Sequence, residues 1–273
     1  MINIMNADDL KRIIASRDCV IFGAGYVAQR FFKALCRQNL DYNVKAFITS
    51  SPTNIMKIDN IPVLSIEELK RYTNPIILIA VHEAVVSQIE ATLLESGYGE
   101  YIWVYPFLYE VMLGTPDVST VKMKIIRKAN IDNIMLPVRY LAIEQYYGKN
   151  YFGYDIYKKA SFILNPSSEV VEKRLENFVK LIKNWEKNGY DSSKRVTILE
   201  NGMVIDGSHR ISLALYHNLK EIECNVYPAT VPYSEIHNPA VIPPLADLGL
   251  LGFTQFEQSV IIDVNNRLDG GEI

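Results

Sequence analysis

A chain of 273 residues is long enough for two ordinary domains or one large one. Hydrophobic residues make up 49% and charged residues 22%, which excludes a disordered chain and suits a packed one. The formal charge of −3 weighs against a nucleic-acid partner, because DNA binding draws on a face rich in lysine and arginine.

Residues 1–12 lack the basic and then apolar pattern of a leader. No apolar run approaches the ~20 residues of a membrane helix, so a cytoplasmic protein without a membrane partner is expected. Cys19, Cys36 and Cys224 have neither metal-ligand spacing nor a disulfide framework, and their apolar neighbours predict small buried side chains.

Residues 8–16 have the spacing of a short amphipathic helix leading into Cys19-Val20-Ile21-Phe22, an apolar strand. Gly23-Ala24-Gly25 follows at once, then a helical pattern over 26–37 with Val27, Phe31, Ala34 and Leu35 on one face. A strand over 43–48, a polar stretch at 50–54, Ile61-Pro62-Val63 and a helix over 66–72 come next. The apolar run 76–81 marks a strand covered on both faces, and a helix over 84–96 and a strand over 101–104 complete the series. Such alternation predicts a parallel sheet flanked by helices, in a domain of residues 1–110.

Gly23-Ala24-Gly25-Tyr26-Val27-Ala28 fits G-x-G-x-x-A between a strand and a helix. Glycine allows a tight turn and close approach of a diphosphate, and the helix start offers free N–H groups and a favourable dipole. The strand over 43–48 runs out into Thr49-Ser50, with no acidic residue for an adenosine ribose, which argues against standard NAD binding. "CVIFGAGYVAQRFFKAL", "VKAFITSS", "IPVLSIEEL" and "IILIAV" together resemble the Rossmann-like domains of bacterial surface-glycan enzymes. Those domains occur in sugar acyltransferases and beside nucleotide-sugar-modifying enzymes. The resemblance covers about residues 17–105. It implies that Gly23, Ala24, Gly25, Tyr26 and Val27 bind a nucleotide or a nucleotide sugar, with a ligand-free scaffold as the alternative.

Residues 113–120 have linker composition, and the helical stretch up to about 159 carries Tyr140, Tyr146, Tyr147, Tyr151, Tyr154 and Tyr157. A connector over 111–160 is expected, its tyrosines suiting a half-buried interdomain layer better than a stacking platform. Phe162-Ile163-Leu164 opens the last block, 161–273. A helix over 169–187 follows, with Val171, Leu175, Phe178, Leu181, Ile182 and Trp185 on its inner face and Asn188-Gly189 ending it. Then come a strand over 195–199, an Asn201-Gly202 hairpin turn, a strand over 203–205, a helix over 208–218 and a strand over 222–226. Prolines at 232, 239, 243 and 244 predict an irregular surface wrap, and 269–273 a frayed end.

The segment Asp206-Gly207-Ser208-His209-Arg210 places glycine, a hydroxyl, histidine and arginine at a helix start, where the dipole favours anions. Gly207 admits a phosphate to the backbone, Ser208 caps the helix or bonds the anion, and Arg210 grips phosphate oxygens in two-pronged fashion. Asp206 would hold Mg²⁺ or orient Arg210. The plainer alternative makes Ser208 a cap, Asp206 a turn residue and His209 a surface side chain. His217 suits a helix end, His82 and His237 carry no role, and Trp103 and Trp185 read as core.

"VTILENGMVIDGSHRISLALYHNLKEIECNV", with "LNPSSEVVEKRLENFVKLIKNWEKNGY" upstream, resembles the ParB/sulfiredoxin-like superfamily over about residues 161–228. The resemblance implies an α/β chain in which a Rossmann-like parallel-sheet domain is followed by a smaller α+β domain. It also implies ATP, ADP or CTP with Mg²⁺, the phosphates lying on Gly207, Ser208, His209 and Arg210. Members include CTP-binding partition proteins, ATP-using sulfiredoxins and free-serine kinases. Ser208 stands where sulfiredoxins carry a catalytic cysteine, and a proline-rich tail stands where partition proteins carry a DNA domain. What remains is kinase-like transfer, with Glu169 (or Glu172) as general base and with His209 and Asp206 in the catalytic set.

The expected function is phosphoryl or nucleotidyl transfer from a nucleotide to a small-molecule substrate in surface-polysaccharide biosynthesis. A non-catalytic nucleotide or nucleotide-sugar binding module is the alternative, and a CTP-dependent DNA-associated switch comes third. The acceptor is undetermined by the sequence, and a homo-oligomer is compatible with it.

Overall fold

The computed structural model describes residues 2–50, 54–164, 166–236 and 244–270. Asn165, His237, Pro239, Pro243 and the last three residues lie outside them, with part of the polar stretch at 50–54. The chain divides into two compact units, Met1–Gly114 and Thr115–Ile273. No helix among the described residues is long and apolar enough to cross a membrane.

In the first unit, α1 (Ala7–Ser16) starts behind Asn6, whose side chain accepts from Asp9 N. β1 (Cys19–Phe22), α2 (Tyr26–Arg37), β2 (Val44–Thr49), β3 (Lys57–Ile58) and β4 (Ile61–Ser65) follow. Ser65 and Glu68 form a capping box, but the turn they start, Ile66–Arg71, is a 3₁₀ helix rather than the expected α-helix. β5 (Ile76–Ile79), α3 (Glu83–Glu95), β6 (Tyr101–Trp103) and α4 (Leu108–Leu113) complete the unit.

The six strands lie in the order β3-β4-β2-β1-β5-β6. Only β3–β4 is antiparallel. The result is a mixed α/β architecture with a mostly parallel sheet, as the alternation of strand and helix patterns predicts. β1 is buried along its whole length, as is β5, which accounts for the unbroken apolar runs of both. The chain leaves β1 for β2 on one side and later returns to pair β5 on the other, so the winding reverses at β1.

The second unit begins with β7 (Asp117–Lys122), α5 (Met123–Ala129), α6 (Met135–Tyr146), α7 (Gly153–Leu164) and α8 (Ser168–Asn188). β8 (Val196–Leu199), β9 (Val204–Asp206), α9 (Ser208–Tyr216), β10 (Glu221–Tyr227), α10 (Tyr233–Ile236) and α11 (Gln255–Gly270) follow. Its sheet has the order β7-β10-β8-β9, with a parallel β10–β8 pair between two antiparallel ones. The Asn201-Gly202 turn joins β8 to β9, and Gly189 ends α8 at a φ of +68°.

Three expectations need correction here. Residues 117–122 form an edge strand instead of a linker, because Val118, Thr120 and Val121 are β-branched and Glu221–Val226 supplies a partner. The stretch expected as a connector also contributes α5, α6 and α7, whose Ile126, Val138, Leu141, Ile156 and Tyr157 join the same core as α8 and α9. Tyr140 and Tyr157 are buried in this unit's own interior. Finally, the expected C-terminal wrap contains the 16-residue helix α11, which buries Ile261, Val264 and Leu268. Asp269 and Gly270 belong to it.

Cys19 and Cys224 are buried and Cys36 partly so. Burial pushes the first two thiols up to about 12 and about 11, so both stay protonated.

Candidate anion site at the start of α9

The short hairpin β8–β9 delivers the chain to Gly207, the residue that caps α9. Gly207 has a φ of +88°, a left-handed value that costs an L side chain free energy. A Cβ there would also stand 3.0 Å from Arg210 Nη2 and 3.1 Å from Val196 Cγ2. Both the turn and the close packing therefore select glycine. The helical ladder starts with Ile211 N donating to Gly207 O at 3.1 Å, and no side chain caps the turn. The N–H groups of Ser208, His209 and Arg210 precede that ladder, which is the arrangement that attracts anions. Ser208 is thus not the cap, and its hydroxyl makes no hydrogen bond among the described residues.

His209 turns inward. Its Nε2 lies 2.8 Å from the hydroxyl of Tyr157, a fully buried side chain of α7, and its ring centroid lies 4.5 Å from that of Phe178 on α8. Burial first, and then the charges of Arg139, Arg174 and Arg210, hold this imidazole well below its ordinary pKa, so it is neutral at pH 7. Burial likewise raises Tyr157, against the opposing pull of Arg139 and Arg174.

The three arginines differ in what they touch. Arg210 bonds the carbonyls of Lys194 and, at 3.3 Å, Arg195, and lies 3.6 Å from the Asp206 carboxylate. It braces the loop before β8 against the helix start. Among the described residues Arg139 of α6 donates only to Met135 O, at 3.3 Å, and its buried Nε has no partner. Burial brings its guanidinium down to about 10. Arg174 of α8 makes no hydrogen bond or ion pair among the described residues, and it precedes Phe178 by one turn on the same face.

The expected residues are brought together only in part. Asp206, Gly207, Ser208, His209 and Arg210 form one structure, but Glu169 stands apart. It is exposed, and at about 100° per residue it points about 180° away from Phe178 around α8. Glu172, the alternative, pairs with Lys158 at 2.7 Å. Among the described residues no group of three His, Cys, Asp or Glu could hold a metal. Asp206 offers one half-exposed carboxylate, which fits a Mg²⁺ arriving with phosphates and not a resident ion. Tyr157, Arg139 and Arg174 are additions from the structure. No sequence motif marks them, since each sits in an ordinary helical pattern.

In the first unit, Gly23 has a φ of +115°, and a Cβ on it would stand 3.0 Å from Ala80 O. Gly25 caps α2 with a φ of −82° and open space beside it. Ala24, Gly25, Tyr26 and Val27 therefore lie where the winding of the sheet reverses, the usual crevice for ligands in open α/β sheets. Arg30, one turn into α2, is only 8% exposed. Its guanidinium lies 4.8 Å from the ring centroid of Tyr26 and 5.7 Å from that of Tyr109.

No family model, curated protein or solved structure matches this chain at a significant level.

Proposed function

We propose that the start of α9 binds the phosphates of a nucleotide, and that the chain uses them for phosphoryl or nucleotidyl transfer to a small molecule. The observation that carries this reading is the uncapped start of α9 behind the left-handed Gly207, with a neutral His209 in its first turn on which the charges of Arg139 and Arg174 act, neither having a carboxylate partner among the described residues. The Tyr157 hydroxyl and the free N–H groups of the first turn are the polar groups at His209, which suits an acceptor-rich ligand, and Phe178 packs on its ring. The likeness of residues 161–228 to ParB/sulfiredoxin-like domains makes ATP, ADP or CTP the candidates. The Rossmann-like reading of the first unit offers a nucleotide sugar as second ligand and surface-polysaccharide synthesis as the setting. Asp206, the carboxylate within the motif, would meet a phosphate-borne Mg²⁺.

The outward direction of Glu169 favours a second reading, a nucleotide-binding module without turnover, because it leaves the acceptor hydroxyl without the expected base. Incubating the protein with ATP, ADP or CTP, Mg²⁺ and a panel of amino acids and sugars separates the two. Turnover that His209→Ala abolishes, and that Glu169→Gln leaves intact, supports transfer without Glu169. Saturable nucleotide binding with no product supports the module, and no binding of any nucleotide sinks both.

A further inference from the structure

We infer that a cavity at the far end of α9 from Gly207 binds a small phosphomonoester with an apolar body. It is a second site, independent of the phosphate reading above.

Two pairings build the cavity. β10 runs antiparallel to β7 with Glu221 opposite Lys122, and Met123 N donates to Lys220 O at 2.9 Å. The first turn of α5 is thereby held beside the turn that leaves α9. Asn218 makes that turn with a φ of +56°, a left-handed value that asparagine tolerates. Asn218 N donates to Leu215 O and Leu219 N to Ala214 O, each at 3.0 Å, so two of the carbonyls at the helix end are already paired. α11 closes a third side through Leu268. The space between these elements is about 340 Å³, within the range of small-molecule sites.

The floor of the cavity is apolar, with Met123, Leu215 and Leu268 buried and Leu219 partly so. Its rim is cationic. Lys122, Lys124, Arg127 and Lys220 all line it, and none of their side chains makes a hydrogen bond or ion pair among the described residues. Among those residues Glu221 is the one carboxylate in the lining. This surplus is local, since the whole chain carries a formal charge of −3.

Lysines scattered over a convex face are each solvated alone. Four cations around one opening repel each other, and an anion held between them relieves that repulsion. Three of the four are lysines, compact charges without the planar fork of arginine, so the rim responds to charge density more than to the flat shape of a carboxylate. A phosphomonoester concentrates about −1.5 to −2 charges on one group at pH 7. The apolar floor takes up the remainder of the molecule. A nucleic-acid strand would need the cations along an extended face, whereas these surround a concave opening.

Calorimetric titration of the full chain tests this with phenyl phosphate as probe. Inorganic phosphate supplies the charge without the body, and phenol the body without the charge. Phenyl phosphate is expected to bind at least about tenfold more tightly than inorganic phosphate, and phenol not to bind. Lys124 and Lys220 are exposed, so the double variant Lys124→Glu/Lys220→Glu should fold as the wild type does. It is expected to weaken phenyl phosphate at least about tenfold. Lys122→Gln/Arg127→Gln, on the other part of the rim, should act in the same direction but less strongly, because charge is removed and not reversed. α9 spans nine residues, about 13 Å, so His209→Ala at its other end should leave the affinity within about threefold.

Affinity that is equal in wild type and both double variants overturns the inference, as does a failure of phenyl phosphate to bind. Affinity lost in His209→Ala and kept in both double variants moves the probe to the start of α9, which also overturns the inference while supporting the phosphate reading. Inorganic phosphate binding as tightly as phenyl phosphate overturns the assignment of an apolar body.

Discussion

Each unit starts a helix with glycine directly after a strand, α2 behind Gly25 and α9 behind Gly207, yet the two starts are built differently. At α2 the left-handed backbone belongs to Gly23, two residues before the cap, and the neighbouring cation Arg30 rests on the faces of two tyrosines. At α9 the cap itself is left-handed, and the charges of Arg139 and Arg174, neither of which makes an ion pair among the described residues, act on His209. A helix dipole is present at both. What separates them is the backbone of the cap, left-handed at Gly207 and ordinary at Gly25, since Arg30 too leaves a buried Nε without a partner among the described residues.

The comparison can be broken by substitution. Gly23→Ala should cost about 2–3 kcal/mol, because a φ of +115° and the Ala80 carbonyl at 3.0 Å both oppose a Cβ; denaturant unfolding measures it. Gly207→Ala should cost less, about 1–2 kcal/mol, since the flexible Arg210 side chain gives way where a carbonyl does not. If Gly207→Ala proved the costlier of the two, the local packing described for both turns would be wrong.

Acid should distinguish the starts next. His209 is held neutral in the folded chain, whereas an unfolded histidine takes up a proton near pH 6.5. The unfolded state then binds more protons, so stability is full above that pH and falls as pH drops below it. The slope is at most about 1.4 kcal/mol per pH unit. His209→Gln should flatten the curve between about pH 6.5 and 5, and an unchanged slope would place the imidazole in solvent. The smallest effect belongs to Gly25→Ala, less than about 1 kcal/mol, because an ordinary φ of −82° and empty space await the methyl group. If Gly25→Ala nevertheless abolished binding of a nucleotide sugar while stability held, a ligand at the first loop would be established.

Much of the architecture was legible because burial on both faces leaves a plain trace. Cys19 to Phe22 and Ile76 to Ile79 contain no polar residue, and the inner face of α8 keeps its helical spacing through Trp185. Other elements were hidden by stronger local signals. α11 is announced by Thr254 and Glu257, whose side chains each accept the other's backbone N–H, at 3.2 and 2.7 Å. The run of prolines before it drew the reading toward an irregular wrap. β7 was masked by the glycine and proline just ahead of it. At the site, the residues around Gly207 were legible as a contiguous motif, but Arg139, Arg174 and Tyr157 are carried to His209 by three separate helices. No spacing in the sequence records that meeting. The engagement of Arg210 with the Lys194 and Arg195 carbonyls was hidden for the same reason, since it depends on a loop folded back beside it.

The edge strand β7 has a consequence for how the second unit comes into being. Lys122 pairs with Glu221 and Asp117 with Val226, so the strand that opens the unit waits for one roughly 100 residues later. Closing so long a loop is entropically demanding, whereas α5 to α8 between them need only local contacts. During synthesis the helices can therefore form well before the sheet does. The hairpin β8–β9 emerges before β10, the strand that links it to β7, so the α9 start is assembled only as the sheet closes.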